Sequence, residues 1–431
     1  MKQIRSGQSF LYRANGYNST VVEIRMRDKV TGSYLQVALT NTVRRFPYLT
    51  QKLVEKGGAY FLHRDDNSMT VNRTKRFRTL GSMETGYHLL DVTYIDNYIR
   101  VAFHHGLCDG RGVMPFVETL LYDYCCQKYR RKFSSEGIRL PGEPILPEET
   151  VEPFSTDYFA VDSGVAPQVE KDGFALPEST AYPNICCRTE ILVDESAFVH
   201  ETKAVGATPT LLAAMLFSRC ILDLNPQAEK PVICNLAMDL RSAIGMEQTH
   251  RNCVGSAYLP YTPADRDREP SALAKQYRKL LAAQRDPDAV KAGLNQQIGL
   301  FNKLEELKTL EERRQMMSFF DTMLNNTYVI SYMGRLRLND YAGYVESARF
   351  YNDTIRGLTV NMLSAAGKLS FVILQGFSET KYAEAFTRAL APYGFLSASE
   401  TTAVTTGKDK SYLTASHQAE RYYAKQESPW Q

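Results

Sequence analysis

From Leu140 onward the chain loses its periodicity: the run PGEPILPEETVEPF carries four prolines, and irregular sequence continues to about Asn184. A proline has no backbone N–H and its ring collides with the preceding helical turn, so this run excludes both a helix and a central strand. On either side, apolar residues recur at strand or helix spacing. The stretch therefore reads as a surface linker between two folded halves. Length agrees, because 431 residues exceed the roughly 250–300 at which one hydrophobic core stops growing. The division is an N-terminal subdomain over residues 1–145, a linker over 146–184, a C-terminal subdomain over 185–400 and a polar tail over 401–431. The tail is weakly patterned and is expected to be partly disordered or draped on the surface.

Strand and helix signals mix in both halves, which makes the fold class α/β. Thr20 to Met26 alternates like a strand. Tyr34 to Phe46 carries Leu35, Ala38, Leu39, Thr42 and Val43 at helical spacing and stops before Pro47. Tyr60 to His63 reads as a strand, and Gly86 to Tyr94 with Asn97 to Phe103 as a hairpin. After Gly112, Phe116, Leu120 and Tyr124 form one row of an amphipathic helix, and Val117 and Leu121 the adjoining row. Beyond the linker, strands are expected at Arg188 to Val193, Val232 to Met238, Thr327 to Tyr332, Gly357 to Leu363 and Leu369 to Leu374. Thr208-Pro209 places a capping hydroxyl before a proline suited to a first helical turn, so a helix follows to Leu222. Further helices are expected over Glu269 to Arg285, Gly293 to Met317 and Lys381 to Leu390.

A formal charge of +3 with scattered Lys and Arg gives no electrostatic footprint for nucleic acid. The one dense basic run, Arg73 to Arg78 (RTKRFR), reads as a solvated loop or strand edge; docking of an acidic carrier or a phosphate-bearing donor is its functional alternative. No window approaches the ~18–20 apolar residues of a membrane helix, and MKQIRSGQSF lacks the apolar core of a secretion signal, so a cytoplasmic protein without membrane insertion is expected. Eight cysteines without a CxxC spacing fit reduced structural thiols better than a disulfide framework or a zinc site.

The chemistry concentrates in VAFHHGLCDGRG, residues 101 to 112. Neutral imidazole is the side chain best matched to take a proton near pH 7. At a strand end His104 and His105 point to opposite sides, so one of them faces a given cleft. Asp109 either orients a histidine or pins the turn through an arginine elsewhere, and Gly110 and Gly112 permit backbone angles that a side chain forbids. A satisfied structural histidine pair and a metal site are the competing readings, although no second His/Cys/Asp cluster is evident. A serine hydrolase would need a nucleophile elbow such as GxSxG, which the chain lacks. Cys108 inside the motif is read as non-catalytic and His250 as a surface or supporting histidine, while Tyr341, Tyr344 and Tyr351 are candidates for a pocket or for packing.

His104-His105-Gly106-Leu107-Cys108-Asp109-Gly110 fits HHxxxDG in full. Arg44-Arg45-Phe46-Pro47-Tyr48-Leu49 looks like an RxPxL segment. Asp239-Leu240-Arg241, followed by Asn252-Cys253-Val254-Gly255, is similar to DxR…GNxxG, with Arg251 at the first glycine. Ser331-Tyr332-Met333-Gly334-Arg335 resembles SNxGR, with Tyr332 in place of Asn. In this order the elements resemble the chloramphenicol-acetyltransferase-like superfamily, which includes condensation domains and alcohol acetyltransferases. The resemblance implies a pseudo-dimer of two α/β subdomains with a tunnel between them. It implies His105 as catalytic base, His104 as the neighbour that supports the loop, and Asp109 turned away and paired with an arginine of the second half, for which Arg241 is the candidate. Gly110 completes the motif, and Ser331 is expected to contact the donor or the developing oxyanion.

The implied reaction moves an acyl group from a thioester to an alcohol or amine. No metal and no bound cofactor is needed, and acyl-CoA or an acyl-carrier thioester is the co-substrate. Partners would be small-molecule donor and acceptor, with a carrier protein as the alternative donor, and a monomer is expected. No BAHD-type DFGWG motif marks a coenzyme A site. A condensation-type enzyme and a non-catalytic binding protein that retains the fold are the alternatives.

Overall fold

The computed structural model describes residues 2–13, 19–64, 69–155, 172–180, 185–322, 326–352 and 357–404. Part of the linker and the tail beyond 404 lie outside the described residues.

The first half runs β1 (Lys2–Gln3), α1 (Gln8–Tyr12), β2 (Thr20–Met26), α2 (Gly32–Arg45), β3 (Lys52–Lys56), β4 (Ala59–His63), β5 (Asn72–Arg73), β6 (Leu90–Ile95), β7 (Tyr98–Phe103) and α3 (Gly110–Tyr129). The helical row of α2 (Leu35, Ala38, Leu39 and Thr42) is buried, as are both rows of α3 from Phe116 to Tyr124. β3 and β4 pair in a small sheet with β1, while β6 and β7 form the hairpin that carries the chain to the histidines.

Beyond the linker come β8 (Ile185–Asp194), α4 (Glu195–Ala204), α5 (Pro209–Leu224), β9 (Val232–Asp239), α6 (Arg241–Ile244), β10 (Val254–Tyr261), α7 (Pro270–Gln284), α8 (Pro287–Glu306) and α9 (Leu310–Thr322). They are followed by β11 (Tyr328–Arg335), β12 (Val345–Asn352), β13 (Leu358–Ala365), β14 (Lys368–Gln375), α10 (Lys381–Ala389) and β15 (Phe395–Val404). Seven strands form a mixed sheet in the order β10-β9-β11-β13-β14-β8-β15. Its helix-covered face is set by aromatic packing: Phe217 meets Tyr328 and Phe386, and Phe198 meets Phe371. No single helix among the described residues is long and apolar enough to cross a membrane.

The first half's sheet has the order β12-β2-β7-β6-β5. Its edge strand β12 comes from residues 345–352, which the sequence division places in the second half. Strand periodicity says which residues face a core, but not whose core. An ionic cluster accompanies this crossing. Arg349 of β12 pairs with Glu23 of β2 and with Glu190 of β8, Arg100 of β7 donates to the same Glu23, and Tyr351 adds its hydroxyl at 3.0 Å.

The single helix expected over Gly293 to Met317 is two helices, α8 and α9. The break is a capping box. Glu312 accepts from the backbone N–H of Lys308 and Thr309 at 3.0 and 2.9 Å, while the Thr309 hydroxyl accepts from Glu312 N–H at 3.2 Å. The linker is not wholly on the surface either: residues 146–148 are exposed, but Glu149, Glu152 and Phe154 are buried.

Candidate active site

The motif forms where β7 leaves its sheet. His104 still donates its N–H to Leu89 O at 3.0 Å, and its carbonyl then accepts from Leu107 and Cys108, which closes a tight turn. The His104 ring is buried and its Nδ1 accepts from Gly106 N–H at 2.8 Å, so it braces the turn. Burial pushes its pKa down to about 3, with His105 adding to the effect, and the ring stays neutral.

His105 is partly exposed. Phe10 of α1 stacks on its ring at 4.5 Å between centroids and 25° between planes, and Phe103 meets it edge-on at 5.9 Å. Nδ1 is buried without a hydrogen-bond partner, so aromatic packing rather than a carboxylate sets the ring. Burial lowers its pKa to about 4; Asp109 opposes that and Arg13 adds to it. The imidazole is therefore a free base at neutral pH. Gly7 makes the close approach of α1 possible, because a Cβ there would stand 2.0 Å from His105 O, and its φ of +74° suits glycine.

Asp109 caps α3 and turns away from His105 into the second half. Its Oδ1 accepts from Gly112 N–H and from Arg241 Nη2, both at 2.8 Å, and its Oδ2 accepts from Cys253 N–H at 2.8 Å. Arg241, only 2% exposed, also donates to Thr249 O, Arg251 O and Asp239 Oδ1 at 2.7–2.9 Å. This clasp ties the motif turn to the loop between β9 and β10 through charge-assisted hydrogen bonds. Gly110 and Gly112 do not use the unusual backbone angles expected of them, since both lie in regular α3. Space is the reason for Gly112, where a Cβ would stand 2.0 Å from His250 O.

His250 is buried rather than superficial. Its Nδ1 lies 2.6 Å from Glu149 O, and its ring stacks on Tyr48 at 4.4 Å. The Glu149 carboxylate receives Arg45 at 2.8 and 3.0 Å and the Tyr48 hydroxyl at 2.5 Å. The RxPxL-like segment thus anchors the linker. The Cys108 thiol is buried and pushed well above its ordinary pKa, which removes any thiolate nucleophile.

Ser331 lies on β11, partly exposed and in register with Asn361 of β13. Two residues on, the Met333 side chain sits where a Cβ on Gly110 would meet it at 3.2 Å. Tyr332 points to the helix-covered face and bonds Ser364 Oγ at 2.9 Å. Tyr341 packs against Tyr122 and Phe133, Tyr344 stacks on Tyr129, and Tyr351 joins the ionic cluster, so these three tyrosines are packing residues. Two of the four basic residues of the run are paired locally: Arg76 with Glu84 at 2.7 Å and Arg78 with Asp91 at 2.9 Å. Among the described residues no group of three or more His, Cys, Asp or Glu is arranged to hold a metal ion. Phe10, Gly7 and Glu149 were not visible as site residues, because each depends on a contact between distant segments.

No protein-family model matches the chain, and no curated protein matches it. Solved structures do. Two mixed α/β halves with one exchanged strand make this the chloramphenicol acetyltransferase-like fold, the fold also adopted by condensation domains. The chain is similar to polyketide synthase associated protein 5 from Mycobacterium tuberculosis, at 15% identity and a TM-score of 0.61, over 91% of this chain and 98% of that one. It is also similar to the F. sporotrichioides TRI101 protein complexed with coenzyme A and T-2, at 14% identity and a TM-score of 0.57, over 89% and 96% of the two chains. The first condensation domain of the CDA synthetase follows, at 12% identity and a TM-score of 0.56, over 92% and 99%. At these identities the likeness carries the fold alone.

Proposed function

We propose that this protein is an acyltransferase that moves an acyl group from a thioester donor, acyl-CoA in preference, to an alcohol or amine, with His105 as general base. The observation that carries this reading is the state of the His105 ring: neutral, partly exposed, clamped by Phe10 and Phe103, and mounted on a turn that Asp109 and Arg241 tie to the second half. A similarly folded protein is known in complex with coenzyme A, which supports the donor class.

In the proposed reaction a passage between the halves brings donor and acceptor to the ring. The imidazole takes the proton of the acceptor O–H or N–H as that atom attacks the thioester carbonyl. The tetrahedral adduct collapses, the C–S bond breaks, and the proton passes to the departing thiolate. The products are an ester or amide and a free thiol. A thioester is activated enough that base catalysis and alignment suffice, with no covalent enzyme intermediate. Asp109 does not relay the proton; it positions the turn. The proposed setting is the cytoplasm, with the protein as a monomer.

Thiol release from a panel of acyl-CoA chain lengths with small alcohols and amines tests the reading. His105→Ala is expected to lower turnover about 10²–10⁴-fold, and an unchanged rate would eliminate His105 as the base. The likeness to a condensation domain supports a second donor, a carrier-protein thioester. Turnover with acylated carrier protein and none with acyl-CoA would select it.

A further inference from the structure

We propose that Asn361, with Ser331 beside it, forms a subsite for the pantetheine arm of the thioester donor, in which the Asn361 side-chain N–H group donates to an amide carbonyl of the arm. The inference rests on the acyl-transfer reading above. Asn361 stands in the middle of β13, an apolar central strand, and is 2% exposed. Its Nδ2 is buried and has no hydrogen-bond partner within the protein. A buried donor left unpaired is costly, so such a group calls for a partner that the chain itself does not supply. The two serines of the same strand pair are satisfied: Ser364 bonds Tyr332 at 2.9 Å, and Ser370 donates to Leu363 O at 3.1 Å.

Register fixes which way Asn361 looks. It lies opposite Ser331 on β11 and opposite Val372 on β14. Its strand neighbour Met362 is in register with Phe371, which packs into the helices through Phe198 and Phe386, so Met362 belongs to the helix-covered face. Alternation places Asn361 and Ser331 on the other face. That face is turned to the first half. Met333, two residues beyond Ser331, reaches Gly110 at the end of the motif, and Glu190, in register with Val372, reaches Arg349 of β12. The row Ser331, Asn361, Val372 and Glu190 therefore lines the seam between the halves. It offers a neutral hydroxyl and an unspent amide donor, the chemistry that receives an amide carbonyl and does not require a phosphate or carboxylate.

The test is Asn361→Leu, a near-isosteric change that removes the unpaired donor. Calorimetric titration with coenzyme A, and separately with a phosphopantetheinylated carrier protein, reads the affinity; urea unfolding reads the stability. Affinity is expected to fall about tenfold for whichever donor the parent binds, with kcat nearly unchanged and the unfolding midpoint equal to or above the parent's. A structural asparagine would give the reverse: a lowered midpoint with unchanged affinity. Ser331→Ala is the milder second variant and is expected to weaken the same ligand by a few-fold. A parent that turns over thioesters while both variants bind donor as tightly as the parent overturns the subsite and leaves the acyl-transfer reading standing. A parent that neither binds either donor nor releases thiol overturns both.

Discussion

Arg241→Met tests what holds the histidine turn in place. The substitution keeps most of the apolar stem and removes the guanidinium that donates to Asp109, Asp239, Thr249 O and Arg251 O. Asp109 is 0% exposed, so its carboxylate would keep only the backbone N–H groups of Gly112 and Cys253. Burial works against the charge of Arg241, and the pairing with Asp109 more than offsets it, which leaves the arginine pKa raised. Breaking such a buried pair from one side costs about 3–5 kcal/mol, or about two to three and a half decades in the folding equilibrium. That is a large share of a typical total of about 5–15 kcal/mol. Urea unfolding followed by circular dichroism at pH 7 measures the loss, and thiol release on the same samples should fall with it because the turn loses its tether. A loss below about 1 kcal/mol, with full activity, would refute the view that this clasp carries the loop.

Acid should weaken the protein from its histidines. His104 and His105 keep pKa values near 3 and 4 chiefly through burial, whereas unfolded imidazoles titrate near 6.5. Between these values the unfolded chain binds more protons, so their contribution is fully present above about pH 6.5 and is lost as pH falls through about 4 for His105 and about 3 for His104. His104→Gln should flatten that part of a stability-against-pH curve, and an equally steep curve would contradict the assignment. Phe10→Ala should admit water to the His105 ring and move the acid limb of kcat/KM upward from below about pH 5 toward 6.5, while the parent stays flat from pH 6 to 8. Gly112→Ala, whose Cβ would stand 2.0 Å from His250 O, should cost about 1–3 kcal/mol by thermal or urea unfolding. Gly293→Ala, in α8 with nothing within 4 Å, should instead stabilise by about 0.5–1 kcal/mol.

Local signals in the chain were legible wherever chemistry and position coincide. Thr208 caps α5 with Pro209 in its first turn, as its side chain accepting from Leu211 N–H shows. The alternation of Thr20 to Met26 is one strand with the same ends, and HHxxxDG sits at a strand end before a helix. Legibility failed where a residue's role depends on a partner far along the chain. Phe10 and His105 meet only because Gly7 lets α1 lie against the turn, and no periodicity announces such a crossing. Asn361 is one polar letter in an apolar run, and its significance appears only once the strand's register is known. The break before α9 is different. Thr309 and Glu312 spell a capping box in the sequence itself, and the apolar spacing on both sides masks it.

Because β12 is lent by the back of the chain to the sheet at its front, the front half is not a self-sufficient folding unit. A nascent front half would wait with the long edge of β2 bare, an adhesive border until some 350 residues had been made. A gene cut at the linker should therefore yield an insoluble front piece when expressed by itself. Co-expression of the back piece should restore solubility by supplying the missing ribbon.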